Sequence, residues 1–539
     1  MGNALTLGKG TLVSRVLGFL RDASIAALVG GGWTADALLL SLRLPNLART
    51  LLTEGAFAYA LIPAFRSLLG ENTARAWAFL RSMTLALFAV FGIFVLFGAL
   101  FPDRIAVVLA PGFRAVPDVL AMASGFMLLC LISLPLVSGA AVNAAALMAA
   151  GRFLPPAYGA AVFNLVLILF AGAAFVCFGT GSDAAPYAIC AGAIMAGAVQ
   201  WGFQAYFLRR LGFRPVGPIT LCDPVFTRAF RALPRSVFSV SGHHANVFLA
   251  VFLASFLAEG AVSSLYFAER LINFPLGVIG ASMGLAALAD LSAIAAAFTR
   301  DETGEKATAP GSSAHAAATA GKALFAERLA QASRVTLFFA LPATVGTACL
   351  AAPLTSAIFG YGEFGDAALA RTTAALLAFL AGLPALALIR PMLAGLSALG
   401  DGKTALRGTL AGLAATAVLG TLSLFSGEAW GPALAVGLAA WINAAVLART
   451  LTVRGFSPLP SAVWLLKVLA ACAVMAGCVI WGAGYFTSAI GKIAAVPLGV
   501  AVYFVAAPLL RLEEGSVILR VMAAKMRGRE NSTHRKSPT

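Results

Sequence analysis

Apolar runs of about twenty residues recur from one end of the chain to the other, each long enough to cross a hydrocarbon core of roughly 30 Å. They fall at 5–29, 34–65, 78–101, 119–150, 155–179, 186–208, 224–258, 262–298, 335–354, 368–388, 406–425, 432–447, 463–482 and 493–510. The pattern predicts an all-α polytopic membrane protein of about fourteen transmembrane helices. Composition agrees: of 539 residues 60% are hydrophobic and 11% charged, with mean hydropathy +0.91. Soluble domains are about a quarter charged and have no means of hiding so much apolar surface.

The net charge of +16 would suggest nucleic acid in a soluble protein, but here the basic residues sit in alternate loops. One set of loops carries Arg66, Arg75 and Arg81; Arg152; Arg209, Arg210 and Arg214; Arg300, Lys306, Lys322 and Arg328; Lys403; and Arg449 and Arg454. The other set holds Asp183, Glu259, Glu363, Asp366 and Glu428, with Arg104 and Arg114 offset by Asp103 and Asp118. By the positive-inside rule the basic set is cytoplasmic, and an even number of spans puts both termini there too. The Ala/Gly/Ser/Thr-rich stretch 299–322 reads as a flexible cytoplasmic linker. The basic stretch after about 515 reads as a topology-fixing tail that can touch anionic lipid.

Ionisable groups inside the apolar runs carry the functional signal. The first run holds Arg15, Arg21 and Asp22, the second Asp36, Arg43, Arg49 and Glu54, and the eighth Glu269 and Arg270. Each costs roughly 3 kcal/mol at a helix centre, so these residues face a wet or protein-lined interior rather than lipid. On a helical wheel Ser14, Arg15, Gly18, Arg21 and Asp22 share one stripe, and Ser263, Tyr266, Arg270, Asn273 and Gly277 another. Pro45 is expected to kink the second helix, beyond which Asn46, Arg49 and Thr53 are neighbours. Two readings stand. Arg21–Asp22 and Glu269–Arg270 are buried pairs that lock helices, or the Arg residues line a cavity for an anion. Arg outnumbers the nearby carboxylates, which favours the second. Arg stays protonated when buried and grips phosphate with a planar fork, so a pyrophosphate lipid headgroup would fit.

Other candidates say less. The seven cysteines are scattered through apolar runs without metal-ligand spacing and read as small core residues; no metal site is expected. His243 and His244 could relay protons, but adjacent helical residues point about 100° apart, and a neutral hydrogen-bonded role is the plainer reading. Gly395 and Gly400 suit close helix packing. No Gly-rich Lys loop for ATP occurs. The first run carries too much charge for a cleavable signal. A faint repeat links Asp36 and Arg43-Leu-Pro-Asn46 to Ser263 and Arg270-Leu-Ile-Asn273, about six helices later, which is the pattern of two lobes in parallel orientation.

The segment from Ser14 to Asp22 (SRVLGFLRD), with Asp36, Arg43-Leu-Pro-Asn46, Arg49 and Glu54-Gly-Ala-Phe57, resembles the signature of the MurJ/MviN family of lipid II flippases. Ala110-Pro-Gly-Phe113, Gly151-Arg-Phe153 before Pro155, Asn164, Ala254-Ser-Phe-Leu257, Glu269, Leu271 and Phe274-Pro275 extend the likeness over roughly residues 1–450. The resemblance implies a multidrug/oligosaccharidyl-lipid exporter fold: an N-lobe at 1–222, a C-lobe at 223–455, two further helices at 456–515 and a tail at 516–539. It implies a non-enzymatic, alternating-access flippase of the bacterial inner membrane. Such a protein moves undecaprenyl-diphosphate-linked peptidoglycan precursor outward among membrane lipids, alongside cell-wall synthesis machinery and without nucleic acid. By resemblance Arg21, Arg49 and Arg270 meet the diphosphate, with Arg15 and Ser14 beside them. Asp22, Asp36, Arg43, Asn46, Glu54, Ser263, Glu269 and Asn273 then shape the cavity and its gate. No cofactor is expected, and dependence on membrane potential or on a coupling cation stays open. The sequence departs from the family at Glu269 (usually Asp), Asn273 (usually Glu), Thr50 and Tyr59. The rival reading is an exporter of another lipid-linked oligosaccharide, or of drugs, on the same fold. A glycosyltransferase would need acidic or metal-binding residues in a large outward loop, which the sequence lacks.

Overall fold

The computed structural model describes residues 2–53, 56–240, 242–303 and 313–516, and every regular element among them is helical. Each apolar run becomes one helix or two consecutive ones. The first and second become α1 (Gly2–Val29), α2 (Trp33–Thr53) and α3 (Ala56–Glu71), and the third α4 (Thr73–Leu100). A short α5 (Pro102–Leu109), not foreseen, precedes α6 (Pro117–Ala149), α7 (Leu154–Phe178) and α8 (Ala184–Arg210). Then come α9 (Pro224–Val240), α10 (Gly242–Ala254), α11 (Ala261–Thr303), α12 (Ser313–Cys349), α13 (Ala351–Phe359), α14 (Asp366–Leu380) and α15 (Leu383–Ala398). The rest are α16 (Gly402–Ser423), α17 (Trp430–Val453), α18 (Ala462–Ala483), α19 (Ala489–Ile493) and α20 (Ala495–Leu509).

Nine helices among the described residues are long and apolar enough to span a membrane, and α14 with α15, bent by 40° at their break, are so only taken together. The charge-bearing α1 and α2 are not among them, since Arg15, Arg21 and Asp22, and Asp36, Arg43 and Arg49, interrupt their apolar surface. Of the stretch expected as a linker, residues up to Thr303 and from Ser313 are helical, as its many alanines favour; 304–312 lie outside the described residues.

The chain divides into two compact units. The first comprises Met1–Arg270, Ile358–Ala375 and Thr416–Ala433. In it α1 packs on α7, α2 on α6, and α7 and α6 on α8. Phe65, Phe79, Met83 and Leu80 are fully buried where α3 and α4 meet α6 and α9. The second unit comprises Leu271–Ala357, Leu376–Ala415 and Leu434–Thr539. Here α12 packs on α15 and α18, and the buried Tyr503 hydroxyl of α20 donates to the Phe338 carbonyl at 2.7 Å.

Candidate functional site

The membrane charges of α1, α2 and α11 meet inside the first unit. Asp22 is fully buried and Arg21 is 3% exposed. The Arg21 guanidinium folds back onto Asp22, its Nε and Nη2 donating to Oδ1 at 2.9 and 2.6 Å. Its Nη1 donates to Asn164 Oδ1 on α7 at 2.9 Å. From α11, Arg270 Nε donates to the other Asp22 oxygen, and the Tyr266 hydroxyl donates to Oδ1 at 3.2 Å. One carboxylate thus lies between two guanidiniums, and the trio keeps one positive charge in excess. Gly18 lies beside it: a Cβ there would make van der Waals contact, at 3.4 Å, with both Arg270 Nη2 and Asn164 Nδ2.

Two further contacts surround the trio. Arg43 of α2 pairs with Glu269 of α11 at 2.8 Å, both half-buried. Arg270 therefore takes Asp22, not its chain neighbour Glu269, as partner, and the second pair considered from sequence is replaced by two links between helices. Arg49 donates to Asn46 Oδ1 at 3.0 Å and its guanidinium lies 6.0 Å from the Phe163 ring centroid. A small cavity with about 20 Å³ of free space, enough for one water, touches Arg21, Pro45, Asn46, Phe163 and Tyr266. Ser14 contributes its carbonyl, which accepts from Asn164 Nδ2 at 3.0 Å. Arg15 and Asn273 are half-buried and outside the hydrogen-bonded cluster around Arg21 and Asp22. Glu54 and the side chain of His243 lie outside the described residues, and His244 is half-buried on α10.

Nearer the Lys/Arg-poor loops, acidic side chains cap helices in exchange. Asp36 of α2, buried, accepts from the Gly260 and Ser263 amides at 2.9 and 2.7 Å, where α11 begins. Glu259, just before α11, accepts from the Trp33 amide that opens α2 at 3.0 Å. Each carboxylate satisfies orphan N–H groups of the other helix and sits against the positive end of its dipole. The two members of the sequence repeat, Asp36 and Ser263, are thereby joined. The same end is closed by Glu363 N to Ala27 O at 3.0 Å and by Arg371 Nη2 to Gly31 O at 3.0 Å. Gly362, with φ +59, permits this approach, since a Cβ would fall 2.1 Å from the Ala27 carbonyl oxygen.

Arg371, Glu259 and the roles of Tyr266 and Asn164 were not assigned from sequence. Arg371 had a usable signal, an Arg within the apolar run 368–388; Tyr266 shared the stripe of Arg270 and Asn164 belonged to the family-like motifs, but their contacts and that of Glu259 depend on the packing. No group of three or more His, Cys, Asp or Glu residues able to hold a metal occurs among the described residues.

The sequence model of the family described as "Lipid II flippase MurJ" matches residues 25–500. The chain is 29% identical to the probable lipid II flippase MurJ of Haemophilus influenzae, over 92% of this chain and 94% of that protein. It is 30% identical to the probable lipid II flippase MurJ of Rhizobium meliloti, over 87% and 84%. Among solved structures, one titled "Lipid II flippase MurJ, inward closed conformation" covers 94% of this chain and 98% of its own, with a TM-score of 0.76 at 18% identity. An inward-facing multidrug transporter of the MATE family in the MOP superfamily aligns at a TM-score of 0.55 and 14% identity, over 81% and 95%. The last two likenesses concern the fold.

Proposed function

The chain belongs to the MurJ family of lipid II flippases, and on that premise we propose that its Arg21–Asp22–Arg270 trio engages the diphosphate of its substrate. It is a multi-pass membrane transporter that flips lipid II. The observation carrying the site assignment is the sharing of one buried carboxylate by two guanidiniums from α1 and α11. Asp22 holds both forks in place, and a diphosphate with its several acceptor oxygens offers them a better-matched partner. Arg49 and Arg15 add positive charge nearby, and Ser14, Asn46, Arg43, Glu269 and Asn273 shape the walls. Asp36, Ser263 and Glu259 hold the gate at the outer end, and its hydrogen bonds belong to the state that loads from inside. Loop charge supports a cytoplasmic location for both termini.

The excess positive charge also supports coupling to the membrane potential. An anionic headgroup is driven outward by an interior-negative potential and an emptied Arg cavity is drawn back, at about 2.3 kcal/mol per unit charge and 100 mV. The test is rescue of cells depleted of their own flippase, scored as lipid II accessible outside. Arg21→Ala, Arg49→Ala and Arg270→Ala should each abolish rescue in inserted protein, and Arg→Lys should keep only part of it. Full growth with the triple alanine variant rejects the binding role. Collapsing the potential with an ionophore at constant pH gradient should slow exposure; an unchanged rate rejects the coupling.

A further inference from the structure

At the Lys/Arg-rich end of the first unit, the ends of α6, α7 and α8 form a half-open surface cavity of about 480 Å³ that shares no lining residue with the cavity at Arg21. Arg152 and Arg210 supply its charge, Phe153, Pro155 and Phe207 its apolar wall, and no acidic residue lines it. Backbone geometry fixes both arginines. Gly151, at φ +75, closes α6 while Arg152 N donates to Leu147 O at 2.8 Å. Gly212, at φ +93, closes α8 in the same way, with Phe213 N donating to Leu208 O at 3.1 Å.

Two other arginines at this end, Arg75 and Arg81, have partners in the protein. Arg75 binds Asp223 at 2.7 Å, and Arg81 donates to the Pro218 and Arg214 carbonyls at 2.9 Å each. The Arg152 guanidinium has no hydrogen-bond or ion-pair partner among the described residues, and that of Arg210 has only the face of Tyr206, 4.7 Å from its ring centroid. All three helices are long and apolar enough to span a membrane, so their shared ends lie at one bilayer surface. Two unneutralised guanidiniums over an aromatic wall at headgroup depth match a phosphate that is attached to acyl chains. Leu154 and Tyr206, each about half exposed, leave the flank beside the cavity open to those chains.

We propose that this cavity seats the phosphate headgroup of an anionic membrane phospholipid, separately from the substrate site. The Gly151-Arg-Phe153 motif, which the transport site does not use, then has a role: it turns the chain and presents one of the two phosphate ligands.

The proposal is tested on the full chain in detergent by native mass spectrometry, titrating phosphatidylglycerol, phosphatidylcholine or lipid II. The Arg152→Gln/Arg210→Gln variant should lose one retained phosphatidylglycerol, with binding weakened about thirtyfold, while phosphatidylcholine and lipid II are retained as by the parent. Unchanged phosphatidylglycerol retention overturns the proposal, and so does equal loss of phosphatidylcholine. Loss of lipid II in place of phosphatidylglycerol would make the cavity a substrate site and overturn it as well. Displacement of phosphatidylglycerol from the parent by millimolar inorganic phosphate would reassign the site to a free anion. If the glutamine variant unfolds, Arg152→Lys/Arg210→Lys carries the test. It keeps charge without the planar fork and should hold phosphatidylglycerol more weakly than the parent; equal retention refutes the proposed clamp.

Discussion

Asp22→Asn removes one negative charge from the centre of the site and little volume. In the parent, the fully buried Asp22 accepts from Arg21 at 2.6 and 2.9 Å, from Tyr266 at 3.2 Å and from Arg270. Breaking a buried ion pair by removing one partner costs about 3–5 kcal/mol, because a buried charge is left uncompensated. Here two guanidiniums lose the same counter-charge, so the cost belongs at the upper end of that range, on the order of a thousandfold in the folded population. The assay is thermal or denaturant unfolding of the purified variant in detergent, beside Asp22→Asn/Arg270→Gln and Arg270→Gln. The double variant should be at least about 1 kcal/mol more stable than Asp22→Asn alone, since its one remaining guanidinium, Arg21, still has Asn164 and Tyr266. An Asp22→Asn protein that unfolds at the parental midpoint would refute the reasoning. A double variant whose loss equals the sum of the two single losses would refute it equally.

Asp36→Ala leaves the Gly260 and Ser263 amides without their acceptor and should cost about 1–3 kcal/mol; hydrogen exchange over residues 260–266 should accelerate, and unchanged exchange would deny Asp36 the capping role. Asn273→Glu, which restores the family's usual carboxylate, should be tolerated in the rescue assay because Asn273 lies outside the Asp22 hydrogen bonds; a dead but well-inserted protein would show a rearranged gate. In the loop before α9, the hydrogen bond from Arg75 holds the Asp223 carboxyl below its ordinary value. A depressed folded value means that the pair stabilises above the unfolded value of about 4 and that this is lost as pH falls through the lower one. Arg75 is 40% exposed, so the gain is at most about 1 kcal/mol. Asp223→Asn should therefore unfold slightly earlier than the parent at pH 7 and together with it near pH 2; a gap that persists in acid would assign the effect to something other than the charge.

Hydropathy alone determined the membrane class and the course of the apolar runs, because a run of apolar residues costs too much in water and too little in lipid to be placed otherwise. Charge within those runs marked Arg15, Arg21, Asp22, Asp36, Arg43, Arg49, Glu269 and Arg270 as interior residues for the same reason. The helix break near Pro384 and the extension of helix into the Ala-rich stretch were not placed, since local propensity and apolar pattern disagree there. What only tertiary structure decided was pairing. Arg270 reaches Asp22 across 248 positions of sequence, Glu269 turns to Arg43 across 226, and Asp36 caps a helix that begins in a distant loop. Neighbours on a helix point about 100° apart, so Glu269 and Arg270 face different helices, and each charge is neutralised by whichever opposite charge the packing brings within reach. That distance is set by how α1, α2, α7 and α11 pack together, and the spacing of residues along the chain does not contain it.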